Sequence, residues 1–493
     1  MNPSSSGALV FREVEIARSV VHAPAVSAVT LRQLPWRCVA ITTFAALIFA
    51  FGVLTITARS TNGFAVYSDG VAYFLYARSA VIDHDLYIGD EFEQLDRSVG
   101  AGTKALEPLR KWTSRGVDGK LISPWPAGAG LMLAPFYAVG YAIENAVAAQ
   151  AHRPADSYGL IPQMAFALGS VLFGVVGFWC MWLLTLQITE TRVAYLTSMG
   201  IALSGPVAFY TLFHPSMAHA LSFGLVSMLT CLWLRVWNRE LSRAAMVWLG
   251  LLLGLAATVR YQNALYGALL VALVVKEWTR AGLPAAAKHA ITGMVASLLP
   301  VVMLLRGQLT LASSSSGLSV AQYPIDFTSP YFMQVLLSCR HGAFHWAPLL
   351  GVAAFGLLWA AARREGWAIA LLIVLVLNTY LIGGLSMAQA AYHGQPLPAG
   401  WLHHWDDAPS FGMRYLTECA PLFAVGLAYL IRTTIPLPPF RLWAVGVGLG
   451  AVWNALLIAA YGLETITRAG CLSYSDMLNG FAELLAKLFQ HLS

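Results

Sequence analysis

Long apolar runs recur along almost the whole chain, and most of them are long enough to cross a lipid bilayer. A transmembrane helix needs about 20 predominantly apolar residues. Runs that meet or approach this length lie at 38–58, 160–187, 193–212, 216–235, 244–260, 261–276, 288–306, 342–361, 367–386, 413–431 and 440–462. The chain is 58% hydrophobic and 11% charged, whereas a soluble domain is about one quarter charged. The sequence therefore predicts an all-α polytopic membrane protein with about eleven transmembrane helices.

The short loops that carry Lys and Arg all fall on one side of the membrane if the N-terminus is cytoplasmic. Their basic residues are Arg18, Arg32, Arg37, Arg192, Arg235, Arg239, Arg243, Lys276, Arg280, Lys288, Arg363, Arg364, Arg432 and Arg441. Cytoplasmic loops carry the excess of Lys and Arg, so this side is predicted to face the cytoplasm. The segment 126–149 is also apolar, but a crossing there would turn every later basic loop outward. Because it contains Pro126, Pro135 and Glu144, we expect it to lie on or dip into the outer leaflet.

These assignments divide the chain into three parts. Residues 1–37 form a cytoplasmic segment, and 38–462 form the transmembrane part, with a long first outer loop at 59–159 that includes membrane-edge helices. Residues 463–493 form the C-terminal segment. There, one helical face carries the apolar residues Phe481, Leu484, Leu485, Leu488 and Leu492. That pattern predicts an interfacial helix.

Several classes of function are disfavoured. Lys and Arg do not form a stripe or an aromatic-interleaved patch, which argues against a nucleic-acid partner. The sequence has no Gly-rich nucleotide loop and no GxSxG or HExxH pattern. The six cysteines include no CxxC pair and no zinc spacing, although a Cys339–Cys471 bridge on the outer side is left open.

Unusual polar residues gather on the predicted outer side, beginning with Asp69 just after the first span. Asp69 precedes a helical, aromatic stretch in YSDGVAYFLYARS. A poorly hydrated carboxylate at a membrane edge suits a general base acting on a hydroxyl. The alternative is a helix N-cap, which the local sequence alone favours.

The loop FHPSMAHA and the turn ATVRYQN supply three further candidates. His214 and His219 are five residues apart across Pro215, which does not fit zinc. They suit hydrogen bonds to a phosphate or sugar, or equally a helix-end role. Arg260 interrupts an apolar stretch, and ionisable residues within a membrane are functional candidates. Its alternative is a pair with a buried carboxylate, which we disfavour because few carboxylates lie in the predicted spans.

Two later outer motifs add cationic and aromatic groups. Arg340 and His341 lie in SCRHG, and an arginine fork matches phosphate oxygens, with snorkelling to headgroups as the alternative. The stretch WLHHWDDAPSFGMRY carries four further candidates, Trp405, Asp406, Asp407 and Arg414. Tryptophans beside paired acids are typical of a carbohydrate surface, with an aromatic belt or a divalent-cation site as alternatives.

In its order of motifs, most of the chain resembles the GT-C superfamily of membrane glycosyltransferases, which includes protein O-mannosyltransferases and the aminoarabinose transferases of lipid A. The resemblance rests on Asp69 opening the long outer loop and on SPWPAGAGLMLAPFY, ATVRYQN, SCRHG and SFGMRY. It implies a polyprenyl-phosphate-linked sugar donor, action on the outer face, and a catalytic role for Asp69. The chain lacks a DxD at that first position, which favours a mechanism without a metal or other cofactor.

The implied reaction is inverting transfer of a sugar to a hydroxyl, with Asp69 as general base. The groups expected to bind the donor phosphate are Arg260, Arg340, His341 and Arg414. The groups expected to bind the rest of the substrates are His214, His219, Trp405, Asp406 and Asp407. The prenyl chain would lie between spans among membrane lipids, and the acceptor would be a glycan, lipid or protein. Short loops and composition suit a bacterial inner (plasma) membrane.

The alternative is a transporter or flippase of a lipid-linked sugar. It would share the spans and the arginines, but transporters typically show inverted repeats and polar residues near the midplane. Here the polar residues gather at one face. A non-enzymatic scaffold is the third interpretation, and it gives no reason for Arg260 or for His and Arg at the outer ends of spans.

Overall fold

The computed structural model describes residues 35–99, 103–115, 120–311, 327–328, 331–385, 410–435, 437–468 and 470–492. The predicted substrate-binding residues Trp405, Asp406 and Asp407 lie outside the described residues, as does nearly all of the predicted cytoplasmic segment 1–37.

Regular structure in these ranges is helical apart from one short antiparallel strand pair, in which Ser114 lies opposite Ile122. The strands are β1 (Ser114–Arg115) and β2 (Leu121–Ile122). The α-helices are α1 (Trp36–Ser60), α2 (Asp69–Arg78), α3 (Gly89–Val99), α4 (Glu107–Trp112), α5 (Gly128–Gln150), α6 (Leu160–Thr185), α7 (Thr191–Ser204), α8 (Pro206–Ala208), α9 (His219–Trp237), α10 (Arg243–Val259), α11 (Gly267–Ala281), α12 (Leu283–Leu311), α13 (Phe332–Leu337), α14 (Ala343–Trp346), α15 (Pro348–Ala362), α16 (Gly366–Gly384), α17 (Ala420–Thr434), α18 (Phe440–Gly462) and α19 (Tyr474–Leu492). Two π-helical turns (Ser79–Asp83, Phe209–Phe213) and three 3₁₀ segments (Lys104–Leu106, Tyr261–Tyr266, Arg414–Cys419) connect them.

Among the described residues, eight helices are long and apolar enough to cross a membrane, or nine if a pair bent by 68° counts as one span. This confirms the predicted polytopic helical membrane protein. The count of eleven stays a prediction, because α10, α11 and α15 have only 17, 15 and 15 residues. Arg260 ends α10, and a 3₁₀ turn then separates it from α11.

The first helix, α1, packs antiparallel to α6. Near the start of α1, the Trp179 indole N–H donates to Thr42 Oγ1 at 3.2 Å. Near its end, Ala58 shares a buried apolar cluster with Met164, close to the start of α6. The two helices therefore run in opposite directions.

Helix α5, which covers the apolar segment 126–149, also packs antiparallel to α6. Gly140 packs against Ala165, and Gly169 packs against Phe136. Because α1 and α5 are both antiparallel to α6, α5 runs in the same direction as α1. A helix that crossed back through the membrane after α1 would run in the opposite direction. By length and composition α5 could span. Its direction fits an outer-leaflet position, which stays a prediction.

The segment predicted as the first outer loop folds onto the apolar helices through a charged cluster at the end of α2. The Arg78 guanidinium, which is largely buried, pairs with Asp83, donates to Ser157 Oγ at 3.1 Å and lies 3.6 Å from Glu91. Burial raises the pKa of Glu91 to about 9. The neighbouring carboxyl groups of Asp90 and Asp83 raise this pKa further. Glu91 is therefore protonated at neutral pH.

The C-terminal segment is tied to the region after α13. The Cys339–Cys471 disulfide that the sequence left open is present, and Leu472 N donates to Cys339 O at 3.1 Å. Helix α19 packs on α18 by burying Phe481. Its predicted single apolar face is divided, because Leu485 is 49% exposed. Whether α19 is interfacial stays a prediction.

Candidate active site

Asp69 is the first residue of α2, and Ser68 takes the cap position with φ 58°. The N-cap interpretation of Asp69 is therefore wrong. A carboxylate in the first turn still complements the helix dipole. The Asp69 side chain is 24% exposed, and its Oδ2 lies 3.9 Å from Nη1 of Arg414, whose side chain is 11% exposed. The sequence places these two residues 345 positions apart, and the fold brings them together.

A tight helix–loop contact fixes the start of α2. Gly70 lies against Ser216, so closely that a Cβ on Gly70 would sit 2.5 Å from Ser216 Oγ and 2.8 Å from its carbonyl oxygen. Only a residue without a side chain fits there. Ser216 belongs to the predicted FHPSMAHA loop, so this loop sets the position of Asp69.

His214, from the same loop, supports the chain just before Asp69. Tyr67 Oη is within hydrogen-bonding distance of both ring nitrogens of His214 and lies 2.6 Å from Nδ1. Burial raises the pKa of Tyr67, so the phenol stays protonated. The His214 ring stacks on Phe209 with centroids 4.4 Å apart. His214 is thus held by protein groups, and its predicted contact with substrate stays a prediction.

Arg414 opens the 3₁₀ segment that leads into α17. Its Nη2 donates to Tyr415 Oη at 3.0 Å, and its guanidinium carbon lies 4.9 Å from the centre of the Tyr415 ring. Phe411 before it is clamped by Tyr210, whose hydroxyl accepts from Phe411 N at 3.2 Å and donates to Phe411 O at 3.3 Å. At 3.9 Å, the contact with Asp69 is too long for a hydrogen bond. A ligand oxygen could therefore bridge the two groups.

Arg260 is paired with a buried carboxylate, the alternative that the sequence analysis disfavoured. Its Nε lies 3.0 Å from Glu418 Oε1, and Glu418 is fully buried. His219 Nδ1 lies 3.5 Å from the same oxygen. The prediction for Arg260 was wrong because it gave no weight to Glu418, the single glutamate of the predicted span 413–431. A charged residue inside an apolar run was the available signal.

Arg340 and His341 lie on the turn before α14. Arg340 is exposed, and its carbonyl accepts from the Trp346 indole at 2.8 Å. His341 is 2% exposed, and its Nδ1 has no hydrogen-bond partner. Burial and the positive charges of Arg414 and Arg340 lower the pKa of His341 to about 4. His341 is therefore neutral at physiological pH and lies in the electrostatic field of Arg414.

Within the described ranges, no group of three or more His, Cys, Asp or Glu could hold a metal ion. Because Asp406 and Asp407 lie outside those ranges, the expectation of a metal-free site stays a prediction. Sequence reasoning missed Tyr67, Tyr210 and Glu418. Tyrosines near membrane edges are common, so the two tyrosines gave no distinct signal.

No protein-family model and no curated protein sequence matches the chain. The solved structures with a partly similar arrangement include two at 13% identity. One is an Archaeoglobus fulgidus oligosaccharyltransferase in complex with Zn and sulfate, with a TM-score of 0.45. The other is the archaeal oligosaccharyltransferase AglB from Archaeoglobus fulgidus with an inhibitory peptide and a dolichol-phosphate, with a TM-score of 0.38. The alignments cover 84% and 90% of this chain but 52% and 56% of those chains, so the chain spans about half their length. Both scores are too low to establish a common fold or function.

Proposed function

We propose that this protein is a GT-C type membrane glycosyltransferase. It moves a sugar from a polyprenyl-phosphate donor to a hydroxyl acceptor at the outer face, with inversion at the anomeric carbon. The observation that carries the proposal is the Asp69–Arg414 pair: a partly exposed carboxylate 3.9 Å from a largely buried guanidinium. Such a reaction needs both kinds of group within one site, a base for the hydroxyl and a cation for the leaving phosphate.

In the proposed reaction, Asp69 accepts the proton of the acceptor hydroxyl as that oxygen attacks the anomeric carbon. The bond from this carbon to the phosphate oxygen breaks, and the electron pair leaves with the polyprenyl phosphate. Arg414 stabilises the charge that develops on the phosphate, and a largely buried guanidinium does so more effectively than one in water. Neutral His341, close to Arg414, adds a hydrogen bond to a phosphate oxygen.

The outer-face location rests on the disulfide as well as on the loop charges. Disulfides persist in oxidising compartments and are rare in the cytosol. The Cys339–Cys471 bond lies next to Arg340 and His341 in the chain, so the donor-binding groups share its side of the membrane. A bacterial inner membrane with the site on its periplasmic face fits this arrangement.

The test is release of polyprenyl phosphate from a panel of polyprenyl-phosphate sugars by the purified protein in lipid nanodiscs. Cell-envelope extract supplies acceptors, and donor binding is measured in parallel. The comparison is wild type with Asp69→Asn. The matched control is Asp476→Asn, an exposed carboxylate at the start of α19 whose capping bond to Ser473 an asparagine can retain.

Loss of release in Asp69→Asn with donor binding retained, and normal release in Asp476→Asn, would support Asp69 as the base. Equal release by wild type and Asp69→Asn would keep the enzyme but remove Asp69 from its centre. Donor binding without release in any of the proteins would favour the lipid-linked sugar flippase.

A further inference from the structure

A second charged group lies near Arg414 and is centred on a different carboxylate, Glu418. It consists of Arg260, His219, Gln262 and Glu418, which we call the buried brace. Glu418 is at its centre: Arg260 Nε lies 3.0 Å from Oε1, His219 Nδ1 lies 3.5 Å from the same oxygen, and Gln262 Nε2 donates to Oε2 at 3.4 Å.

The brace holds the backbone of the 3₁₀ segment that begins with Arg414. Gln262 Nε2 donates to Tyr415 O at 2.8 Å, and Tyr266 Oη donates to Glu418 O at 3.0 Å. Thr417 Oγ1 donates to Arg414 O at 2.7 Å. Two carbonyls of this short segment are thus bound by side chains of the 3₁₀ turn Tyr261–Tyr266, and the third is bound within the segment, so its orientation depends on that turn.

Tyr415 connects the brace to Arg414. Its ring has the Arg260 guanidinium carbon 5.5 Å and the Arg414 guanidinium carbon 4.9 Å from its centre. Its hydroxyl accepts the 3.0 Å hydrogen bond from Arg414 Nη2. Two guanidinium groups that share one ring would repel each other if both were uncompensated. Glu418 neutralises Arg260, which leaves Arg414 as the group whose charge is directed to Asp69 and the ligand.

We propose that Glu418 is a positioning residue: with Arg260 and Tyr415 it holds the Arg414 guanidinium at the Asp69 carboxylate and so sets the affinity of the site for the donor phosphate. The inference rests on the proposed function for its ligand. It assigns Arg260 and His219 to the support of Arg414 and not to the substrate contacts predicted from the sequence.

The test is a double-mutant cycle on the full chain in nanodiscs, with polyprenyl phosphate itself as the binding probe. Glu418→Gln is measured in the wild-type and in the Arg414→Ala background. A residue that acts through another loses its effect when that other residue is absent. We expect Glu418→Gln to weaken polyprenyl phosphate binding by about tenfold in wild type and by less than about twofold in the Arg414→Ala background. Equal losses in the two backgrounds would overturn the proposal.

The matched control is Glu277→Gln. Glu277 is also a buried carboxylate paired with an arginine, Arg280, at 3.0 Å, but it lies at the far end of α11. We expect phosphate binding and release to be unchanged. A general effect of removing any buried ion pair would appear equally in this variant and would contradict a positioning role for Glu418.

Two further measurements cover the cases that the cycle leaves open. If Glu418→Gln does not fold, Tyr415→Phe replaces it in the cycle, because it removes the hydrogen bond to Arg414 and keeps the ring. We expect Tyr415→Phe to weaken polyprenyl phosphate binding in wild type but not in the Arg414→Ala background. If wild type neither binds nor releases polyprenyl phosphate, the proposed function fails. Phenylglyoxal modification of Arg414, mapped by mass spectrometry with Arg432 as internal reference, then tests the brace alone. It must rise in Glu418→Gln, and an unchanged rate would refute the positioning.

Discussion

Replacing Gly70 with alanine should separate Asp69 from Arg414 without altering either charge. In the structure, a Cβ on Gly70 would lie 2.5 Å from Ser216 Oγ, 2.7 Å from its Cβ and 2.8 Å from its carbonyl oxygen. Ordinary contact begins at 3.4 Å, so the Cβ must separate by about 0.9 Å from Oγ and by about 0.6 Å from the carbonyl oxygen. The carbonyl belongs to the backbone, so a change of side-chain rotamer in Ser216 cannot relieve the clash.

The movement falls on the first turn of α2, because Asp69 is the residue before Gly70. A displacement of about 1 Å in a reacting group lowers an enzyme's rate by about 100-fold. We therefore expect Gly70→Ala to reduce polyprenyl phosphate release by about 10- to 100-fold. Overpacking a tight site also costs about 1–3 kcal/mol of unfolding free energy, so the protein should remain folded but less stable.

The assay is polyprenyl phosphate release together with thermal unfolding. Gly448→Ala in α18 is the matched control, since a Cβ there meets nothing within 4 Å, and it should leave release unchanged. Ser216→Gly in the Gly70→Ala background removes the Oγ and Cβ contacts and should restore part of the rate. Wild-type release by Gly70→Ala, or a loss that Ser216→Gly does not relieve, would refute the reasoning.

Three further changes test separate features. Arg414→Lys keeps the charge near Asp69 but loses the planar fork, so release should fall by about tenfold or more; an unchanged rate would exclude a forked phosphate contact. Replacing Cys339 and Cys471 together with serine should lower the unfolding free energy by about 2–4 kcal/mol, and a reducing agent should destabilise wild type but not this variant. The pKa of Glu91 in the folded protein is raised to about 9, so between pH 5 and 9 the folded state holds a proton on Glu91 that the unfolded state has released. The resulting stability is present at acidic pH and decreases as pH rises toward 9. Glu91→Gln should remove this decrease, and parallel unfolding curves of the two proteins from pH 5 to 9 would contradict the assignment.

The helices could be predicted from the sequence because membrane spans depend on local composition. An apolar run of sufficient length must form a helix, since lipid offers no partners for the backbone. The predicted runs at 38–58 and 440–462 correspond to α1 and α18. The prediction was weaker at 244–276, because a turn at Arg260 divides that region into helices shorter than a bilayer requires.

The candidate site could be predicted only in part. Asp69, Arg340, His341 and Arg414 each stood out as polar residues near the ends of apolar runs. Which of them lie together could not be inferred, because no local pattern relates residues hundreds of positions apart. Arg260 was misjudged because its partner, Glu418, lies in another element.

The sequence by itself determined that the chain is a helical membrane protein and which polar residues lie at the ends of its spans, because bilayer thickness and the cost of buried charge act on each segment separately. The tertiary structure decided that Asp69 is adjacent to Arg414, that Glu418 forms an ion pair with Arg260, and that α5 runs in the same direction as α1. These facts depend on how helices pack against one another. Packing follows from side-chain shape across distant segments, as the close contact of Gly70 with Ser216 shows.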